Sequence, residues 1–158
     1  MIFLEVQLIK GKILTIIPHW PKEWYVSFKI QPHGILNEWS SLFHFTILGN
    51  FGVHGYRCPA FFIFPHLTKM YVTSTAMGYA DLTIDSLVLP QHDVTSFYIE
   101  QSMLSASLHI IKISINGTIV KEIENNDARV FQDVLVYGSD PWHLEPNVTV
   151  SDFQIGFL

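Results

Sequence analysis

The sequence predicts an all-β protein, a two-sheet antiparallel jelly-roll sandwich. Three observations carry this. The dominant hydrophobic period is two rather than 3.6. Turn signals recur every 8–15 residues or so, as in sandwiches and barrels. No stretch of about twelve residues has an apolar face at helical spacing.

The strands read in order as follows. Trp24, Val26, Phe28 and Ile30 alternate with Tyr25, Ser27, Lys29 and Gln31, giving a half-buried strand that Pro32-His33-Gly34 ends. Trp39 to Leu48 is a second strand, with Phe43, Phe45 and Ile47 on one face and Leu42, His44, Thr46 and Leu48 on the other. Ala60 to Phe64 is almost continuously apolar, the pattern of a strand covered on both sides. Lys69 to Thr75 alternates again. Leu82 to Leu89 and Ser96 to Met103 flank Pro90-Gln91-His92-Asp93. Leu108 to Ile115 and Thr118 to Ile123 flank Asn116-Gly117, the strongest short hairpin signal, since both residues tolerate positive φ. Val130 to Tyr137 and Val148 to Phe157 complete the series, and Glu122 to Arg129 has room for a short helical turn. About ten short strands in a chain of this length suit two stacked sheets.

The 158 residues form one domain, residues 1–158. Hydrophobic residues make up 49% and charged residues 15%, enough apolar material for a full core. No apolar run reaches the length of a membrane helix, so membrane insertion is not expected. The net charge is −5 with no basic block, which argues against nucleic acid. The single cysteine, Cys58, leaves no internal disulfide and no multi-thiolate zinc site. The first ten residues start apolar and lack a basic leader and a small-residue cleavage site, so they do not read as a signal peptide. The sequons Asn116-Gly117-Thr118 and Asn147-Val148-Thr149 make Asn116 and Asn147 candidate glycosylation sites and tilt the reading toward secretion.

Three segments carry a resemblance: Trp24-Tyr25-Val26-Ser27-Phe28 running on to Leu42-Phe43-His44-Phe45-Thr46, then Ile115-Asn116-Gly117, then Val134-Leu135-Val136-Tyr137. Together they resemble the concanavalin A-like lectin/glucanase superfamily, and within it laminin G-like and pentraxin-like modules. The resemblance implies a jelly roll whose first and last strands are adjacent, with recognition at loops or on a concave sheet face. It implies an extracellular domain, of a longer or processed protein, that binds a glycan or a protein. It also makes calcium the candidate cofactor. No catalytic or sugar-binding string of the family occurs here, so no site transfers with the fold.

Candidate sites are therefore read from residue chemistry. The loop Gly49 to Arg57 combines three glycines with Phe51, His54, Tyr56 and Arg57. It forms either a binding rim, since aromatics and Arg dominate hot spots, or a loop packed by its own rings. Trp20, Trp24, Trp39 and Trp142 are further binding candidates: Trp142 and Trp20 lie beside prolines in predicted loops, where an indole could stack on a sugar or cover a strand edge, and Trp24 belongs to the core. Asp81 and Asp85, with nearby carbonyls, could hold calcium or simply end a turn. Asp140-Pro141 reads as turn initiation. Of the eight histidines, none shows metal-ligand spacing, and His44 reads as a hydrogen-bonded sheet residue. Arg57 could activate the Cys58 thiol, although a small half-buried residue is the plainer reading. Glu122 and Glu124 share a strand face at a spacing that a glycosidase could use, or form a solvated edge.

The leading expectation is a non-catalytic recognition module. An assembly module that forms a homo-oligomer through sheet edges or faces is the alternative, and a glycan-active enzyme is third.

Overall fold

Alternation along each strand decides which side chains are buried, and the computed structural model shows where they go. It describes residues 1–158, except for the side chains at positions 3 and 4. Twelve strands form two antiparallel sheets of six. They are β1 (Ile2–Val6), β2 (Ile13–Trp20), β3 (Trp24–Pro32), β4 (Ser40–Thr46), β5 (Ala60–Ile63), β6 (Lys69–Ala76), β7 (Tyr79–Val88), β8 (Thr95–Ser105), β9 (Leu108–Ile115), β10 (Thr118–Asn125), β11 (Phe131–Gly138) and β12 (Val148–Phe157). One sheet has the order β1-β12-β3-β8-β9-β10 and the other β2-β11-β4-β5-β6-β7. First and last strands are neighbours, with Ile2 opposite Gln154 and Val6 opposite Val150. This is the jelly-roll sandwich that the sequence predicts.

The inner faces meet through rings. Trp24, Val26, Phe28 and Ile30 of β3 point inward with Phe97 and Ile99 of β8 and Ile111 and Ile113 of β9. Facing them are Phe43 and Phe45 of β4, Phe61 of β5, Met70 and Val72 of β6, and Val134 and Val136 of β11. Phe43 stacks on Phe153 at 4.0 Å, and Phe28 packs on Phe43 at 5.2 Å and on Phe61 at 5.5 Å. Each buried ring contributes about 1.5–3 kcal/mol by leaving water. These inter-sheet contacts set the spacing of the layers.

The Asn116-Gly117 hairpin forms as expected, with φ of 50° and 81° at the two residues. Asn116 Oδ1 also accepts the Ser96 N–H at 2.8 Å. Three expectations need correction. Residues 122–129 hold no helical turn: β10 pairs with β9 as far as Asn125 opposite His109, and Asn125 Oδ1 then accepts the Asp127 N–H. The strands β1 and β2 are not visible as alternating runs. β2 is an edge strand, where Pro18 can be tolerated because one side needs no ladder donor. Trp20, expected on a loop, ends β2 and is buried, tilted on Trp24 at 5.3 Å and on Phe45 at 5.1 Å.

Strand β4 differs from the rest because all seven of its residues are buried. Its inner face meets the other sheet. Its outer face is covered by two connections, residues 139–144 and residues 47–59. Ser41 N–H donates to the Leu144 carbonyl at 2.9 Å, and Cys58 N–H donates to the Phe45 carbonyl at 3.0 Å. Those two covers position the candidate site.

Candidate functional site on the outer face of the second sheet

Outward-facing positions of a solvated sheet are expected to be polar. Here β5 and β6 place Phe62 directly opposite Tyr71, and Phe64 follows β5. Trp39, just before β4, closes the group: its ring lies 4.4 Å from Phe64 and 5.7 Å from Tyr71. Arg57 and His143 complete a cavity of about 400 Å³. A second hollow adjoins it, sharing Trp39 and His143 and adding Trp142, Glu38 and Lys10. Trp39 is 38% exposed and Trp142 is 42% exposed, so both indoles are accessible.

One buried carboxylate fixes the floor. Asp140, with no exposed surface, accepts the backbone N–H of Trp142 at 3.0 Å and of His143 at 2.9 Å through Oδ1. That is the turn expected of Asp140-Pro141. The same carboxylate meets His143 Nδ1 at 2.9 Å and, through Oδ2, His44 Nδ1 at 2.7 Å. The other ring nitrogen of His44 donates to the Tyr56 carbonyl at 2.6 Å, an atom that can only accept. Burial opposes ionisation of Asp140, but hydrogen bonds from His143 and His44 outweigh it and hold the carboxyl well below its usual range. His44 and Asp140 are thus joined by a short hydrogen bond with both side chains fully buried. His44 is the hydrogen-bonded sheet residue expected of it. His143 is oriented by Asp140, packs on Phe62 at 4.9 Å, and keeps Nε2 without a partner among the described residues.

The loop from Gly49 to Arg57 packs on itself and also supplies one wall. Tyr56 lies so close to Gly49 that a Cβ there would sit 2.3 Å from its ring. Gly55, at φ 88°, gives its carbonyl to Ile47 N–H and its N–H to Thr75 Oγ1. Arg57 is the residue that reaches the cavity. Its Nε donates to the Asn50 carbonyl at 2.8 Å, and its guanidinium lies 4.8 Å from the Phe62 ring centre and 5.9 Å from that of Phe51. Burial pushes its pKa down and Asp81 opposes this, leaving it charged at neutral pH. Phe51 is exposed beside it, whereas His54 and Tyr56 do not line the cavity. Tyr56 acts through its carbonyl, as the acceptor for His44.

The remaining candidates are dispersed. Asp81 accepts the Gly52 N–H at 2.6 Å and stands 3.7 Å from Arg57 Nε, while Asp85 accepts the N–H of Ser86. Among the described residues no group of three or more His, Cys, Asp or Glu is placed to hold a metal ion. Asn116 and Asn147 are exposed, the first on its hairpin tip and the second just before β12. Glu122 and Glu124 lie on the exposed edge strand β10, far from either hollow, with Glu122 4.0 Å from Lys112. Cys58 is buried, and burial raises its thiol pKa, so Arg57 does not activate it. Trp39 is one of the four tryptophans named as binding candidates from the sequence, whereas Phe62, Phe64, Tyr71 and His143 have no separate role there. Their signal is faint: rings at 62 and 64 inside one apolar run share a face, but the run does not say which.

No protein-family model matches the chain, and no curated protein matches it in sequence. Solved structures do match. A native heptameric SAP-like pentraxin from Limulus polyphemus has a TM-score of 0.60 at 12% identity, over 98% of this chain and 74% of the pentraxin. The receptor-binding domain of botulinum neurotoxin type G has a TM-score of 0.59 at 13% identity, over 85% of this chain and 34% of that one. The binding domain of botulinum neurotoxin DC, in complex with rat synaptotagmin II, has a TM-score of 0.58 at 12% identity, over 84% and 32%. The chain thus spans about a third of the toxin domains it matches. At such identities the likeness is one of fold. It is the fold of the concanavalin A-like jelly rolls to which the three segments point.

Proposed function

We propose that this chain is a non-catalytic extracellular recognition module that binds a glycan through the aromatic cavity on its second sheet. The carrying observation is the ring cluster of Trp39, Phe64 and Tyr71, all with accessible surface, over a buried Phe62 on the outer face of the second sheet, with Arg57 and His143 among it. A jelly roll needs its inner rings for stability, and the inner core is complete without these four. Flat rings beside a few polar groups suit a sugar ring, whose C–H face stacks while its hydroxyls find hydrogen bonds. The toxin domains whose fold it shares are binding domains by description, which supports a binding role.

A multimerised form of the chain, probed on a glycan array, tests this. Wild type is expected to bind a defined glycan class, and Trp39→Ala is expected to lose about tenfold in affinity, the equivalent of one ring stack. Unchanged binding by a folded Trp39→Ala variant would move the site elsewhere, and a folded wild type that binds no glycan would overturn the reading.

A second reading rests on a different surface. Met1, Ile16 and Phe157 are exposed around a hollow of about 400 Å³ where β2 and β12 meet at the open edge of the sandwich. An apolar edge of this kind suits self-association, and the pentraxin that shares the fold is heptameric. Assembly would multiply a weak glycan site rather than compete with it.

A further inference from the structure

We infer that the aromatic cavity selects sugars that carry a carboxylate, an inference that rests on the glycan-binding reading and narrows it. The chain as a whole is acidic, with a net charge of −5. The cavity is not. Its lining of Trp39, Arg57, Phe62, Phe64, Tyr71 and His143 contains a cation and no carboxylate.

The charges around it can be followed one at a time. Asp140, below the floor, is matched by His44. Asp81 stands 3.7 Å from Arg57 Nε and is itself bound to the Gly52 N–H. Of those terminal nitrogens, Nη2 reaches Asn50 Oδ1 at 3.3 Å, and Nη1 has no partner among the described residues. A second cation, Lys69, lies with its Nζ 5.6 Å from the centre of the Phe64 ring, and no carboxylate pairs with it among the described residues. The adjoining hollow is lined by one charge of each sign, Glu38 and Lys10, and Glu145 accepts the Lys10 N–H beside it. Lys69, on a lining ring but outside the lining itself, is thus a cation with no paired carboxylate among the described residues, and Arg57 Nη1 is the uncommitted donor.

Both cations rest on rings that line the cavity: Arg57 on Phe62 and Lys69 on Phe64. A planar guanidinium with free N–H groups is the best protein partner for a carboxylate. The remaining polar edge, His143 Nε2, serves a hydroxyl, because Asp140 holds the opposite ring nitrogen. Ring face, hydroxyl partner and carboxylate anchor together describe an acidic monosaccharide, a uronic or sialic acid, at the end or in the body of a glycan. A carboxylate-bearing peptide would satisfy Arg57 but leaves the flat ring cluster without a matching face.

The test uses matched pairs. The multimerised wild-type chain is presented with sialylated and uronic-acid glycans, with the same glycans after reduction of the carboxyl to an alcohol, and with acidic peptides. The expected result is binding of an acidic glycan at least tenfold tighter than its carboxyl-reduced partner, weakening as salt rises. Lys69→Gln is expected to cut that preference severalfold, and Arg57→Lys to cut it further. The carboxyl-reduced probe needs no variant, so a misfolded Arg57→Lys does not blunt the test. Equal binding of a pair, with dependence on Trp39, would overturn the carboxylate inference and leave the glycan reading standing. Preference for an acidic peptide would overturn the inference, and binding of no glycan at all would overturn both.

Discussion

Replacing Asp140 separates two jobs done by one carboxylate. In the wild type it caps the N–H groups of Trp142 and His143 and pairs with His44, its own carboxyl and the His44 ring both out of contact with water. Alanine removes everything at once. Two backbone donors lose their acceptor, and His44 is left with a buried N–H facing a methyl group. Breaking a buried ion pair from one side costs roughly 3–5 kcal/mol. For a chain of this size, at about 2–4 °C per kcal/mol, the melting temperature falls by roughly 6–20 °C. Asparagine behaves differently. Its side-chain carbonyl still caps the two backbone groups. Its amide donates toward His44 Nδ1, and the imidazole, keeping only its Nε2 hydrogen, still donates to the Tyr56 carbonyl. Every bond survives without charge assistance, so the cost is about 1–3 kcal/mol. Urea unfolding at pH 7 should rank wild type above Asp140→Asn and that above Asp140→Ala. An alanine variant within about 1 kcal/mol of wild type would refute the reasoning. So would an asparagine variant as damaged as the alanine one.

The same group sets an acid limit. The folded carboxyl of Asp140 lies below its usual range, and the unfolded one titrates near 3.9. Its stabilising effect is therefore fully present above that value and is lost as pH falls through it toward the folded value. The direct measurement is the carboxyl carbon-13 shift of Asp140. It should remain at its ionised position at pH 3, where exposed aspartates are largely protonated, and a midpoint near 4 would refute the assignment.

Two further predictions concern the other sequence candidates. Asp81 is engaged by Arg57 and by Gly52 N–H, so calcium must displace a cation to bind there. Millimolar calcium and chelator are expected to give the same melting temperature and the same glycan binding, and a rise in either with calcium would restore Asp81 and Asp85 as a metal site. The apolar edge around Ile16 and Phe157 predicts a species larger than the 18.1 kDa monomer in sedimentation at micromolar concentration, returned to monomer by Ile16→Glu. A wild type that sediments as a monomer throughout would remove that surface as an interface.

Strand order in the sequence is legible wherever one face is wet and the other dry. β3 and the Asn116-Gly117 hairpin are read correctly because alternation and turn chemistry are local properties. β2 escapes because its burial does not alternate: two of its eight residues, Ile17 and Trp20, are fully buried, and Pro18 interrupts it. The loop from Gly49 to Arg57 is legible as unusual, and both of its readings hold in part. Tyr56 and Gly49 pack it, while Arg57 leaves it to line the cavity.

The cavity itself is hidden for a different reason. It is assembled from residues 39, 57, 62–71 and 143, and its floor joins His44 to Asp140 across 96 positions of sequence. Alternation in β4 shows that His44 and Phe43 lie on opposite faces, but not that the outer one is roofed by a distant Asp-Pro turn. Likewise, the apolar run from Ala60 to Phe64 is read as doubly buried because rings on both faces of a strand usually mean cover on both. That reading holds from Ala60 to Ile63, all of them buried: Phe61 is covered in the core and Phe62 on the outer face beside Arg57, Tyr71 and the two histidines, whereas Phe64, beside Trp39, Tyr71 and Lys69, is half-buried. The aromatic content of 14% thus divides into rings packed between the two sheets and rings on the outer face of the second, where Trp39, Phe64 and Tyr71 keep accessible surface. Those accessible rings are the physical reason for proposing a ligand there.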